Sequence, residues 1–310
     1  MLFISEEESA ALASHEMAFA AAQEALEIAC AEGTVNFPVV LGHGSSSRNR
    51  FTVKSAATAD LAGLKVGSYW PGNLDRGFPR HNSMILLFDQ ESGRLTVAME
   101  AGKLNAYRTA AADAVAADML ARKDASTLVI FGSGHQAAYE CAAISRIRPL
   151  KRVLIVARDR DRGTAMATSI SALGLDAQVA EAKAACAVAD IIVTATASRA
   201  PLFDADWVRP GTHLASMGSD ATGKQEMPPA LFPRASLFCD FPNQSRSIGE
   251  FQHAAGSAPL VAIGDVLAGR HPGRRSGEEI TIFDSSGLSV QDLCIARHVL
   301  AARRPSSGKE

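Results

Sequence analysis

The chain has 310 residues, 47% hydrophobic and 21% charged, with 31 Lys and Arg against 33 Asp and Glu and a formal net charge of -2. At about 150 residues per domain this is material for two domains. The near-neutral charge excludes a general attraction to nucleic acid or to an anionic membrane surface, which leaves a small molecule or another protein as partner.

The acidic start, Met1 to Ser9, has no character of a secretory or transit signal. No apolar run approaches the roughly 18 residues that a membrane span needs. The five cysteines, Cys30, Cys141, Cys186, Cys239 and Cys294, are odd in number and contain no Cys-x-x-Cys pair. They read as reduced thiols of a cytoplasmic protein, not as a disulfide framework or zinc site. The scattered His, Asp and Cys residues suggest no metal cluster.

In chain order, an amphipathic helix is predicted from Ser9 to Ala31, stopped by Gly33. A Gly/Ser turn follows from Gly42 to Ser47. Strands are predicted over Arg50–Ser55, Gly63–Tyr69, Met84–Asp89 and Arg94–Glu100. Beyond Tyr107 the grammar changes. Arg108–Arg122 reads as an alanine-rich helix opened by Arg108, and a regular alternation follows. Its strands are Thr127–Phe131, Val153–Ala157, Asp190–Thr196, His213–Met217, Leu237–Asp240 and Ile280–Phe283, and the helices between them include Gln136–Arg146 and Arg162–Leu173. Near-continuous apolar strands alternating with helices predict a Rossmann-type doubly wound parallel sheet. A last helix, Val290 to about Ala302, is expected to pack back on the first region, and the tail from Arg303 to be loose. The predicted architecture is therefore α/β: a discontinuous α+β domain, 1–112 plus 290–310, and a dinucleotide-binding domain, 113–289.

Gly132-Ser-Gly134-His135-Gln136-Ala137 sits where a strand turns into a helix. Gly132 permits the tight turn, Gly134 the close approach of a pyrophosphate, and Ala137 close helix packing. The helix N-terminus offers N–H groups to the phosphates. At the end of the second strand an acidic residue would bond the ribose 2′-hydroxyl and an Arg would accept a 2′-phosphate. Arg158 comes first there and Asp159 second, which favours NADP(H) and leaves NAD(H) possible. Thr194 and Thr196 end a strand on the carboxyl edge, in reach of a nicotinamide ribose.

Four stretches together resemble the ornithine cyclodeaminase/mu-crystallin family. They are Gly63-Leu-Lys-Val66 with Trp70-Pro-Gly-Asn73; Leu87-Phe-Asp89 with Gly93 and Arg108-Thr-Ala-Ala111; the Gly132 loop; and Met217-Gly-Ser-Asp220 with Gly223-Lys-Gln-Glu226, continuing to Asp284-Ser-Ser-Gly287 and Gln291-Asp292. The resemblance implies an NAD(P)-dependent enzyme and a homodimer, with the first region and final helix serving substrate binding and dimerisation. It implies that Lys65 and Arg108 hold a substrate carboxylate, that Asp220 faces the substrate nitrogen, and that Thr109, His135, Gln136, Met217 and Ser219 join the dinucleotide contacts. Ornithine-type members carry an Arg where this chain has Val39 and Val40. Phe37-Pro-Val-Val40, Lys54, Tyr69-Trp-Pro71, His81-Asn82 and Ser247 to His253 look most like the iminosuccinate reductase branch.

The expected reaction is reduction of an imino acid. Lys65, Arg108 and Asp220 are the catalytic candidates, and Lys54 and His81 the candidates for a second carboxylate. Lys65 could instead donate the proton, since a lysine beside other cations has a lowered pKa. Glu250 and His253 read as structural. The alternatives are a cyclodeaminase that recycles bound NAD⁺ and a dinucleotide-dependent binding protein without significant catalysis.

Overall fold

The computed structural model describes residues 1–303, so the tail beyond Arg303 lies outside the described residues. The chain divides into two compact units, Met1–Arg108 with Leu288–Glu310, and Thr109–Gly287.

The first unit holds β1 (Leu2–Ile4), α1 (Glu6–Leu12), α2 (His15–Ile28), β2 (Val35–Asn36), β3 (Val40–His43), β4 (Arg50–Ala57), β5 (Ala62–Tyr69), β6 (His81–Phe88), β7 (Leu95–Glu100) and the start of α3 (Gly102–Leu120). Its strands form a seven-stranded sheet in the order β1-β7-β6-β5-β4-β2, with β3 also pairing β4. Three expectations need correction. The single helix from Ser9 to Ala31 is two, because Ser14 turns out of the helix and its Oγ accepts from Met17 N at 3.1 Å, starting a second one. The Gly42 end of the supposed turn belongs to β3. Helix α3 opens at Gly102, so Arg108 lies in its second turn and does not open it. The cap is supplied from far away: Glu6 accepts from Gly102 N at 2.7 Å and from Lys103 N at 2.8 Å.

The β4–β5 connection fixes the register that matters. Thr58 N donates to Leu61 O at 2.7 Å, and the Thr58 hydroxyl accepts from Asp60 N and Leu61 N. This tight turn pairs Ala57 with Ala62 and, further along, Lys54 with Lys65. A slip of one residue between these strands would put the two lysines on opposite faces.

The second unit holds β8 (Thr127–Phe131), α4 (His135–Ile147), β9 (Arg152–Val156), α5 (Arg160–Ser171), β10 (Ala177–Val179), α6 (Ala182–Cys186), β11 (Ile191–Thr194), β12 (His213–Ser216), β13 (Ala235–Cys239), α7 (Pro242–Ile248), β14 (Val261–Ala262), α8 (Ile263–Leu267) and β15 (Ile280–Asp284). All eight strands are parallel, in the order β10-β9-β8-β11-β12-β15-β13-β14. The predicted doubly wound sheet is therefore present. Its strands are buried on both faces, with Val129, Phe131, Leu154, Ile192, Leu214, Leu237 and Ile282 in one cluster. Strand order reverses at β8, between β9 and β11, which marks the carboxyl ends of these strands as the ligand edge.

The chain then returns to the first unit as α9 (Ser289–Ala302). Gly63 lets α9 approach the sheet: a Cβ there would meet Leu86 O at 2.3 Å and Leu293 Cδ2 at 2.9 Å. Among the described residues no helix is long and apolar enough to cross a membrane.

Candidate active site

The first unit carries a buried cationic cluster on the sheet face that α9 covers. Lys54, Lys65 and Arg108 expose only 7%, 4% and 6% of their surface. Lys65 Nζ donates to Asp292 Oδ1 at 3.0 Å and to Asn105 Oδ1 at 2.7 Å. Arg108 reaches the same two oxygens, with Nε on Asp292 Oδ1 at 3.0 Å and Nη2 on Asn105 Oδ1 at 2.7 Å. Its Nη1 donates to Gln291 Oε1 at 3.3 Å. Two cations thus bear on one carboxylate oxygen, and a third lies directly across the ladder from Lys65. Burial, then the Arg108 charge, pulls the Lys65 ammonium down from 10.5 to about 7. Asp292 opposes that shift and Lys54 adds to it. A site of this kind attracts an anion and holds a proton ready to leave near neutral pH.

His81 does not join the cluster. It is exposed at the start of β6, opposite Tyr69, with the two rings 4.7 Å apart. Lys65 pairs with Ile85, four residues further on, so at about 3.4 Å per residue His81 lies roughly 14 Å away along the strand. Asn105, Gln291 and Asp292 had no role assigned from sequence. Their signal was the cost of burying Lys65 and Arg108, which demands acceptors.

In the second unit, Gly132 has φ 124°, and a Cβ on it would meet Ala195 O at 2.7 Å. Around Gly134 a Cβ would meet nothing within 4 Å, so the backbone stands open just before α4. Ala137 is fully buried against the sheet. This turn and the thirteen-residue helix behind it fit a dinucleotide pyrophosphate. His135 is exposed with its ring 4.8 Å from that of Tyr139, and Gln136 Nε2 donates to Glu140 Oε1 at 2.7 Å. Gln136 therefore faces the buried Glu140. At the end of β9, Arg158 is exposed, while Asp159 caps α5 by accepting from Arg162 N at 3.1 Å. Thr109 is buried in α3.

Thr194 is fully buried and gives its hydroxyl to Glu226 Oε2 at 2.9 Å, and Thr196 gives its own to Glu226 Oε1 at 2.7 Å. Both hydroxyls thus serve a buried carboxylate, which needs donors, while Thr196 itself is only half-buried at the strand end. Met217 and Ser219 are buried in the loop after β12, and Asp220 stands exposed at its end, 2.5 Å from Lys224 Nζ. Glu250 is buried, accepting from Glu226 N and Met227 N, and burial pushes its carboxyl up to about 7. Its structural reading agrees with that position. His253 binds the Lys224 carbonyl at 2.8 Å.

Comparison with known proteins places this arrangement. The model of the ornithine cyclodeaminase/mu-crystallin family matches residues 6–305. The iminosuccinate reductase of Paracoccus denitrificans is 38% identical over 309 residues, covering 97% of this chain and 96% of that protein. Its crystal structure in complex with NAD⁺ superposes with a TM-score of 0.91 at 36% identity, covering 97% of this chain and 96% of that one. An archaeal alanine dehydrogenase dimer with bound NAD gives a TM-score of 0.90 at 31% identity, covering 97% and 95%. With a family match across nearly the whole chain and relatives of equal length, this protein belongs to the ornithine cyclodeaminase/mu-crystallin family.

Proposed function

We propose that the protein is a nicotinamide-dinucleotide-dependent oxidoreductase that reduces an imino acid to an amino acid, and that its substrate carries a second carboxylate, as iminosuccinate does. The observation that carries this reading is the buried Lys54, Lys65 and Arg108 cluster. When bound, the dinucleotide supplies the hydride for the C=N carbon. Arg108 and Lys65 hold the carboxylate beside that carbon, the planar guanidinium fixing its orientation and the ammonium adding charge. Lys65, with a pKa near 7, is also the group able to keep the imine nitrogen protonated. Lys54, across the ladder from Lys65, holds the second carboxylate. Asp220 offsets the positive charge on the nitrogen, and its ion pair with Lys224 orients it.

NADP(H) is the favoured cofactor, because Arg158 is exposed where a 2′-phosphate would sit and Asp159 is engaged in capping a helix. NAD(H) is the alternative, and relatives of known structure hold NAD. The protein acts in the cytoplasm as a homodimer. A row of apolar residues on the other sheet face, Val40, Val53, Val66 and Met84, supports pairing, with Val40 56% exposed.

The test is absorbance at 340 nm with oxaloacetate and ammonia, alongside pyruvate and ammonia, run with NADPH and NADH. The reading requires faster turnover of the dicarboxylic imine and a higher kcat/KM with NADPH. No turnover of any acyclic or cyclic imino acid would sink it.

A further inference from the structure

We propose that Glu226 is a positioning residue, whose carboxylate ties the carboxyl ends of β11 and β12 together and so sets the two loops that receive the nicotinamide end of the dinucleotide. The proposal rests on the dinucleotide reading above and assigns a task to a residue outside the cationic cluster and the Gly132 turn.

Glu226 is fully buried, yet its carboxylate is saturated. Oε1 accepts from Thr196 N at 2.7 Å and from the Thr196 hydroxyl at 2.7 Å. Oε2 accepts from the Thr194 hydroxyl at 2.9 Å and from Gly218 N at 2.8 Å, and shares the Ser216 hydroxyl, 3.1 Å away, with Glu250 Oε2 at 3.2 Å. Three of these donors come from the end of β11 and two from the end of β12. The residue is itself pinned at both backbone groups. Its N–H bonds the Glu250 carboxylate, and its carbonyl accepts from Leu202 N at 2.9 Å.

The loops it joins are in close contact. A Cβ on Gly218 would meet Thr196 O at 2.2 Å, and a Cβ on Gly132 would meet Ala195 O at 2.7 Å. The Gly132 turn, the Ala195–Thr196 segment and Gly218 therefore stack backbone against backbone. Glu226 fixes the middle member to the third. A displacement of the Thr196 segment would reach the Gly132 turn directly, and a displacement of Gly218 would carry Asp220, two residues on.

The chemistry of the clamp makes a sharp variant available. Each carboxylate oxygen faces a backbone N–H that cannot reverse its direction, Thr196 on one side and Gly218 on the other. Glutamine has nearly the same shape, but its NH₂ must face one of them and lose that bond.

The experiment uses the full-length protein with NADH as probe, measuring the emission of bound NADH, its Kd, the steady-state constants and the Tm. For Glu226→Gln we expect a shifted NADH emission and a Kd about tenfold weaker, the size of one lost charged hydrogen bond. The kcat should fall more than the imino acid KM rises, and Tm should change little. Wild-type emission, Kd and kcat in a folded Glu226→Gln protein would overturn the proposal. If that variant does not fold, Thr196→Val decides, since it keeps the side-chain shape and removes the hydroxyl that bonds Glu226, together with its bond from Ser198 N. A weaker NADH Kd with shifted emission supports the clamp, and wild-type values overturn it. Failure of the functional reading looks different: the wild type would bind NADH yet reduce no imino acid, and the binding and emission arms would still judge Glu226.

Discussion

Each unit holds a buried cluster of like charge, cationic in one and acidic in the other, and treats it in the opposite way. In the sheet unit, Lys65 and Arg108 share a single oxygen of Asp292, with the Lys54 charge beside them. In the dinucleotide unit, Glu226 and Glu250 are satisfied by backbone N–H groups and hydroxyls of their own unit. A buried charge that is fully bonded has nothing left for a ligand and serves to hold other groups. In the sheet unit Lys65 and Arg108 instead crowd one carboxylate oxygen, and on the proposed reading an incoming anion completes the cluster. On that reading the difference separates residues that meet substrate from residues that hold loops, although both are buried and ionisable.

Removing a cation gives the largest test of that separation. Arg108→Met should lower kcat/KM for the imino acid by about 10² to 10³, the usual cost of truncating one side of a buried, hydrogen-bonded charge pair. A loss below tenfold in a folded variant would show that Arg108 only braces Asp292.

A smaller and more selective effect is expected at Lys54. Lys54→Met should cut kcat/KM for a dicarboxylic imine by about 30-fold, roughly 2 kcal/mol, and leave a monocarboxylic imine nearly untouched. Equal losses on both substrates would place Lys54 with the general field of the site and not on a second carboxylate.

The least drastic test is pH, where the two clusters should pull in opposite directions. The Lys65 pKa is lowered from 10.5 to about 7, so the folded protein loses that proton first. Its contribution to stability therefore rises with pH between about 7 and 10.5, while activity that needs charged Lys65 falls above about 7. The Glu250 pKa is raised from 4.5 to about 7 by burial. The folded state keeps that proton longer than the unfolded one, so stability is greatest below about 4.5 and declines as pH rises to about 7. Glu250→Gln should flatten the Tm slope in the lower window, and Lys65→Met the slope in the upper one. If either variant flattens the other's window, the two clusters are not the independent systems described here.

Much of this was legible in the sequence, and what was not has identifiable causes. The β8 strand was predicted with its observed bounds, since an apolar run ending in Gly132 has one economical reading. Lys54, Lys65 and Arg108 were visible as candidates. That Lys65 and Arg108 act on one carboxylate was implied by the resemblance, but the place of Lys54 beside them was not, because it depends on the Thr58 turn setting register, and neither was Asp292, 227 residues from Lys65 and 184 from Arg108, as the counter-charge. Glu226 lay within a quoted motif but received no role, since its worth comes from donors spread from Thr194 to Gly218. His81 was overvalued because sequence shows the residue type and not its position along a strand. The start of α3 was misplaced because its cap, Glu6, is remote in sequence.

That remote cap reaches further than helix geometry. Asn105 and Arg108 stand on the first two turns of α3, the part whose N–H groups Glu6 satisfies. Glu6 is in turn fixed by its own N–H on Glu100 Oε2 at 2.8 Å. The opening residues of the chain are thus a tension member for the helix start that carries Asn105 and Arg108. If the cluster grips substrate as proposed, removing Glu6 would slacken that grip without touching any of its residues.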